Sequence, residues 1–380
     1  MIRVLYLSAD PGVPVLGHKG ASVHVRELVT ALHAAGANVT VASPRLAPEG
    51  DRLDAPVQMA ELPPVLPKAH PEAQGIRAAV AAQTDRLLAI ARACDAQAIY
   101  ERFSLFTASG ARVARTLGIP HVVEVNAPLR EEAARFRTLP HPALAEELER
   151  EVLNCADRVF AVSTTLARRL QAEGAAGGDV EVLPNAVDPA RFARPVRDPA
   201  RCVVGFAGSL KPWHGIDVLA AAVSQTPGVH LEVVGHGPCV EPLERIPAER
   251  VTLLGTLPHA DTIARMARWD IGVAPYLPLD DFWFSPLKVL EYMAAGCCTV
   301  ASDLGDSRVV LGDGERGVLV APGDPVALAD ALRGLAAEPG RAEALGLAAR
   351  EWVLAERTWE RAAARVLGVL ADEPSRKVAA

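Results

Sequence analysis

The chain has 380 residues, half of them apolar and 22% charged, a composition that suits two folded domains and excludes a largely disordered chain. Its 39 basic and 46 acidic residues leave a formal charge of −7 with no extended block of Lys or Arg, so nucleic acid is not an expected partner. The cysteines at 94, 155, 202, 239, 297 and 298 show no C-x-x-C spacing, and a chain of this size needs no disulfide staples, which points to buried thiols in a reduced cytoplasm.

Met1 to Ser8 carries one Arg and an apolar run that ends at Asp10 and Pro11. That is too short for a signal peptide and reads as a first strand. No stretch reaches the ~18 uninterrupted apolar residues of a bilayer span, so membrane contact is expected to be peripheral at most. Further short β-branched runs follow at Val39 to Ser43, Ala98 to Tyr100, Val122 to Val125 and Val159 to Ser163. Helical periodicity fills Val23 to Ala35 and Gly110 to Leu117 between them. The rhythm restarts at Val203 to Ala207 and continues through Leu231 to Gly235, Val251 to Gly255, Ile271 to Pro275, Thr299 to Ser302 and Gly317 to Val320. Strands alternating with helices predict two α/β units with parallel sheets. Pro184, Pro189, Pro195 and Pro199 mark a connection near 185 to 200. The tail from Arg341 to Leu370 reads as helical, anchored by Trp352 and Trp359, and either caps the second sheet or crosses back to the first.

In such sheets ligands sit beyond the carboxyl ends of strands, where helix N-termini offer free N–H groups. Five segments stand there. Asp10 to His24 contains Gly12, Gly17 and Gly20 before a helix, and reads either as a ligand loop or as a surface loop; it is not G-x-G-x-x-G. Gly208 to Asp217 offers Gly208 for close approach, with Lys211 and His214 either facing a ligand or serving as a solvated charge and a packing histidine. Gly235 and Gly255 suit either a planar base or tight turns. In Asp280 to Gly296 a polar and aromatic loop enters a helix with Lys288 in its first turn and Glu291 three residues on. An exposed ion pair would explain them, but a cation at a helix N-terminus opposes the macrodipole unless an anion binds there. In the first half, Glu101 with Arg102 and Glu124 with Asn126 follow strands. D-x-D, P-loop, nucleophile-elbow and clustered His/Cys patterns are missing, which favours metal-free chemistry without a protein nucleophile.

In order along the chain, Gly17 to His24, Val182-Leu183-Pro184-Asn185-Ala186-Val187-Asp188 with Phe192, Gly205 to Asp217, Val234 to Pro238, Leu254-Gly255, Val273 to Tyr276, Leu287 to Gly296 and Gly317 to Asp324 resemble glycosyltransferase family 4, retaining enzymes of the GT-B fold. The resemblance implies two Rossmann-like doubly wound domains facing a cleft. Residues 1–188, with a returning helix at about 358–380, would bind the acceptor, and 189–357 the donor. It implies metal- and cofactor-independent transfer from a nucleoside-diphosphate sugar to a hydroxyl of a small-molecule, glycan or lipid-linked acceptor. Lys288, Glu291 and Asn126 become the catalytic candidates. Gly17, Gly20, Gly208, Ser209, Lys211, His214, Gly235, Gly255, Phe284, Ser285, Pro286 and Leu287 are the expected donor contacts, and His24, Glu101 and Arg102 the acceptor contacts. Glu291 matches the second Glu of the family's Glu-x7-Glu motif, whose carboxylate accepts hydrogen bonds from donor ribose hydroxyls.

The sequence departs from that pattern at three places. Trp283 stands at the motif's first Glu, Ser209 at the usual Arg and His214 at the usual Lys. Lys288, supported by Lys211, is expected to replace the missing charge within a Ser-Pro-Leu-Lys variant, and Asp280 or Asp281 the missing carboxylate. The departures also fit a non-catalytic nucleotide or partner binder, and the architecture fits a sugar-nucleotide 2-epimerase.

Overall fold

The computed structural model describes residues 1–17, 19–46, 53, 55–70, 72–174, 180–198, 200–278, 282–285 and 287–372. Its contacts divide the chain into Met1–Pro184 with Trp359–Ala380, and Asn185–Thr358.

The first unit holds a seven-stranded sheet in the order β3-β2-β1-β4-β5-β6-β7. These strands are β1 (Arg3–Ser8), β2 (Asn38–Ser43), β3 (Gln58–Glu61), β4 (Ala98–Arg102), β5 (His121–Val125), β6 (Arg158–Ala161) and β7 (Val180–Val182). The second unit holds six strands, ordered β10-β9-β8-β11-β12-β13. They are β8 (Cys202–Ala207), β9 (Val229–Val234), β10 (Val251–Leu253), β11 (Ile271–Ala274), β12 (Cys298–Ser302) and β13 (Val318–Val320). Every named pairing is parallel. Helices cover both faces, which is why β8, β9 and β12 carry Val204, Phe206, Leu231, Val233 and Val300 as near-continuous buried residues. The strand order reverses between β1 and β4 and between β8 and β11, so each sheet has one switch point, the place where open α/β sheets bind their ligands.

The edge strands β3 and β7 lie outside the runs expected from sequence. Both are three or four residues long and only partly buried, too short for periodicity to single them out. The stretch read as a connection is packed instead. Phe192 is buried, the Val196 N–H donates to the Ala267 carbonyl at 2.8 Å, and the Arg350 guanidinium donates to the Phe192 carbonyl at 2.8 Å. By its contacts the first unit runs to Pro184, and Asn185 onward belongs to the second. All six cysteines are free, but only Cys297 and Cys298 are fully buried.

The tail forms two helices that belong to different units. Pro339–Glu356 stays with the second unit, where half-buried Trp352 lies under the guanidinium groups of Arg316 and Arg357, 4.5 and 5.1 Å from its ring centre. Trp359–Asp372 joins the first unit and packs on the helix Gly20–Ala34. Trp359 is 4% exposed and meets the edge of His24 at 4.9 Å, with the rings perpendicular. Trp359→Ala is expected to cost about 3–5 kcal/mol and to loosen the Gly20–Ala34 helix before the second unit. Hydrogen exchange resolved by segment checks the order of loss.

Candidate functional site

In the second unit the crevice is built at the ends of β8 and β11. Gly208 follows β8 at φ +142° and Gly235 follows β9 at φ +139°, conformations that side chains rarely adopt. A Cβ on Gly235 would stand 1.9 Å from the Gly208 carbonyl oxygen. The two loops therefore touch backbone to backbone, and Gly208 N–H donates to the Val234 carbonyl at 2.9 Å.

Past β11 the helix Leu287–Ala294 buries Val289, Leu290, Tyr292, Met293 and Ala294 and ends at Gly296, φ +75°, a left-handed stop. The Tyr292 hydroxyl accepts the Ala207 N–H at 2.8 Å. That bond ties the helix to the last residue of β8 and fixes where Lys288 reaches. Part of the Lys288 stem meets solvent, but its Nζ is enclosed with no hydrogen-bond partner. The amine lies 4.3 Å from the centre of the Phe206 ring and 5.4 Å from that of Tyr276. A Cβ added to Gly208 would come within 2.8 Å of it. Burial pushes Lys288 down from 10.5 to about 7, against a weaker upward pull from Glu291.

The Lys288–Glu291 ion pair, the alternative that the spacing also allowed, is not formed among the described residues. Glu291 Oε1 instead accepts from His259 Nε2 at 2.7 Å, with both side chains largely enclosed. His259 opens the helix His259–Met266 and was not a sequence candidate, since nothing local marks a residue 32 positions from its partner.

His214 donates from Nδ1 to the Ser209 carbonyl and packs edge-on against Phe206, Trp213 and Tyr276. Burial, with the neighbouring Lys288, lowers it to about 3. It is a neutral imidazole and does not replace the missing cation. Lys211 is half-buried and Ser209 exposed in the same loop. Gly255 turns at φ +67°, and its carbonyl accepts the Gly235 N–H at 2.7 Å. Ser285 is held by Asn185, whose backbone N–H donates to Ser285 Oγ at 3.1 Å and whose amide donates to the Ser285 carbonyl. Phe284 stacks on Tyr276 at 6.3 Å. Trp283, at the motif's first Glu, is 3% exposed, so a buried indole fills that position. Asp280, Asp281 and Pro286 lie outside the described residues.

In the first unit the period of two along strands decides which groups meet. Tyr6 and Tyr100 stack at 5.4 Å. Arg102 pairs in register with Glu124, and Asn126 continues that face beyond β5. Fully buried Glu124 gathers four groups: His24 Nε2 at 2.8 Å, the Tyr100 hydroxyl at 2.5 Å, the Asn126 amide and Arg102 at 3.6 Å. Arg102 also donates to Asn126 Oδ1. Burial alone would raise Glu124, but His24, Arg102 and the Tyr100 hydroxyl outweigh it and hold the carboxyl at about 2.

Glu101 faces the opposite way. Its Oε2 accepts from His121 Nε2 at 2.8 Å and lies 1.9 Å from where a Gly110 Cβ would stand, under the helix Ser109–Leu117. The structure thus separates Glu101 from Arg102, His24 and Asn126, with which sequence grouped it. Gly17 packs against Pro14 and Ser22, and its carbonyl accepts from Arg26. Gly20 begins the first helix without a side-chain cap before it. No three His, Cys, Asp or Glu side chains gather as a metal site among the described residues, and no described helix is long and apolar enough to cross a membrane.

Residues 18–191 match the model described as Glycosyltransferase Family 4, and residues 201–338 that described as Glycosyl transferases group 1. Both halves of the chain thus match glycosyltransferase domains. A phosphatidyl-myo-inositol mannosyltransferase of Mycolicibacterium smegmatis is 37% identical over 175 residues, covering 43% of this chain and 44% of that protein. A GDP-mannose-dependent alpha-(1-6)-phosphatidylinositol monomannoside mannosyltransferase of the same organism is 30% identical over 243 residues, 58% of this chain and 64% of that one. The aligned stretches span about half to two thirds of these relatives. Sucrose-phosphate synthase from Thermosynechococcus elongatus superposes with a TM-score of 0.78 at 22% identity, covering 98% of both chains. Anabaena HepE in complex with UDP and glucose gives 0.73 at 18%, covering 98% of this chain and all of the other. These likenesses place the glycosyltransferase-like halves in the GT-B fold.

Lys288→Met is expected to stabilise the unliganded protein by a few kcal/mol near neutral pH. The folded value of about 7 lies below the unfolded 10.5, so the unfolded chain binds more protons between them and wild-type stability rises across that window. The advantage of the variant is therefore largest at about pH 6 and fades by about pH 10, which denaturant unfolding at the two pH values measures. Glu124 gives a slope of the same sign at acid pH, but here the charged form stabilises the fold. Its contribution is present above the ordinary 4.5 and lost as pH falls through about 2. Glu124→Gln is expected to lower stability at neutral pH and to flatten the acid limb of the unfolding curve.

Proposed function

We propose that this chain is a retaining, metal-independent glycosyltransferase that moves a sugar from a nucleoside-diphosphate sugar to an acceptor hydroxyl. The observation that carries the reading is the enclosed Lys288 amine beside Gly208, a desolvated cation site with no anion of its own. An ammonium held against ring faces in a water-poor crevice is worth far more to a developing negative charge than one in water. The first N–H groups of the helix Leu287–Ala294 add donors that no helical carbonyl can reach.

In this reading the bond from the anomeric carbon to the phosphate oxygen breaks, and its electron pair stays on the diphosphate beside Lys288. The acceptor oxygen attacks on the same face and its proton passes to the departing phosphate oxygen. Glu291 accepts the ribose hydroxyls. In the first unit Arg102 and Asn126, fixed by Glu124, form the polar edge offered to the acceptor. The mannosyltransferase relatives favour GDP-mannose as a first donor and a lipid-linked or glycan acceptor as a first class to test, with UDP-glucose as the alternative donor. A cytoplasmic setting suits the six free cysteines.

Neutral His214 and buried Trp283 favour a second reading, a family member that binds nucleotide without transferring sugar. A panel of UDP-, GDP-, dTDP- and ADP-sugars, scored by thermal shift and by slow donor hydrolysis, separates the two. Transfer predicts stabilisation and hydrolysis with one base, and about a 100-fold or greater loss of turnover in Lys288→Ala with folding kept. Glu291→Ala is expected to weaken donor binding as well. Stabilisation without hydrolysis supports the binder, and an isomerised donor released without acceptor identifies an epimerase.

A further inference from the structure

Lys288 and Glu291 are three residues apart on one helix, a spacing at which an ammonium and a carboxylate come within reach of each other. Lys288 Nζ is enclosed and has no acceptor, so a charge-assisted bond to Glu291 would satisfy both groups. The structure keeps them apart. Glu291 Oε1 is taken by His259 Nε2 at 2.7 Å, and since a carboxylate only accepts, the imidazole donates. The histidine is carried there by the segment that follows β10: Gly255 turns it, Pro258 precedes the helix, and Thr262 Oγ1 donates back to the Pro258 carbonyl at 3.0 Å.

The geometry points to His259 as a positioning residue that restrains the Glu291 carboxylate and so keeps the Lys288 amine open to a diphosphate. This rests on the donor reading of the crevice. Its physical content is competition. A carboxylate one turn away is a permanent rival for the cation, and an arriving anion would have to break the internal pair first. With His259 in place, Glu291 is satisfied elsewhere and the cation stays unpaired, as a preorganised anion site requires.

The test uses the full-length protein and inorganic pyrophosphate, a probe without ribose or base, titrated calorimetrically in metal-free buffer. Wild type is expected to bind pyrophosphate and Lys288→Ala to lose it. His259→Ala is expected to weaken binding by about tenfold or more. His259→Ala combined with Glu291→Gln should return to near the wild-type affinity, since the rival charge is gone. His259→Gln, which keeps a donor near the Nε2 position, should stay close to wild type. Rescue by removing a carboxylate is something that simple loss of packing at His259 would not give. If His259→Ala binds like wild type, or if the double variant stays as weak as the single one, the proposal is overturned while the donor reading stands. If Lys288→Ala binds pyrophosphate as tightly as wild type, the donor reading fails and takes the proposal with it.

Discussion

An amine that has been taken out of water and given nothing to hold sets the terms for the second unit. The rings of Phe206 and Tyr276 offer Lys288 only their faces. The backbone at Gly208 approaches closely because no side chain intervenes, and the helix that carries the lysine is anchored to β8 through Tyr292. Each of these is a packing choice, and together they concentrate an unmet electrostatic demand at the switch point of the sheet. Proteins seldom leave such a demand standing without a ligand to meet it.

The first unit shows the opposite treatment of a buried charge. Glu124 is fully buried, and it is surrounded by His24, Tyr100, Arg102 and Asn126. Its charge is satisfied internally, so it stiffens the end of β5 and presents Arg102 and Asn126 in fixed positions. One sheet spends its buried charge on order, and the other keeps its charge free.

Much of this was legible in the chain alone. Alternating β-branched runs and helical stretches marked the two parallel sheets, because buried strands are nearly uniformly apolar. The conflict between Lys288 and the helix dipole marked the crevice. Other features required the fold. Glu101 reads as a companion of Arg102 at the strand end, and only the fold shows that its carboxylate is taken up by His121 beneath Gly110. His259 meets Glu291 only because the helices that precede and follow β11 pack against each other, a tertiary fact with no local sign. His214 carries a titratable ring that sequence counts as a potential donor of charge, and its aromatic surroundings remove that charge.

The last described helix, Trp359–Asp372, lies on the first one, Gly20–Ala34. The unit that begins the chain is thus completed by residues made after the other unit. During synthesis the Asn185–Thr358 unit is the first to have its whole sequence available. The opening helix and His24 wait with part of their apolar face uncovered until Trp359 emerges. The order of domain completion is therefore the reverse of the order of their first residues.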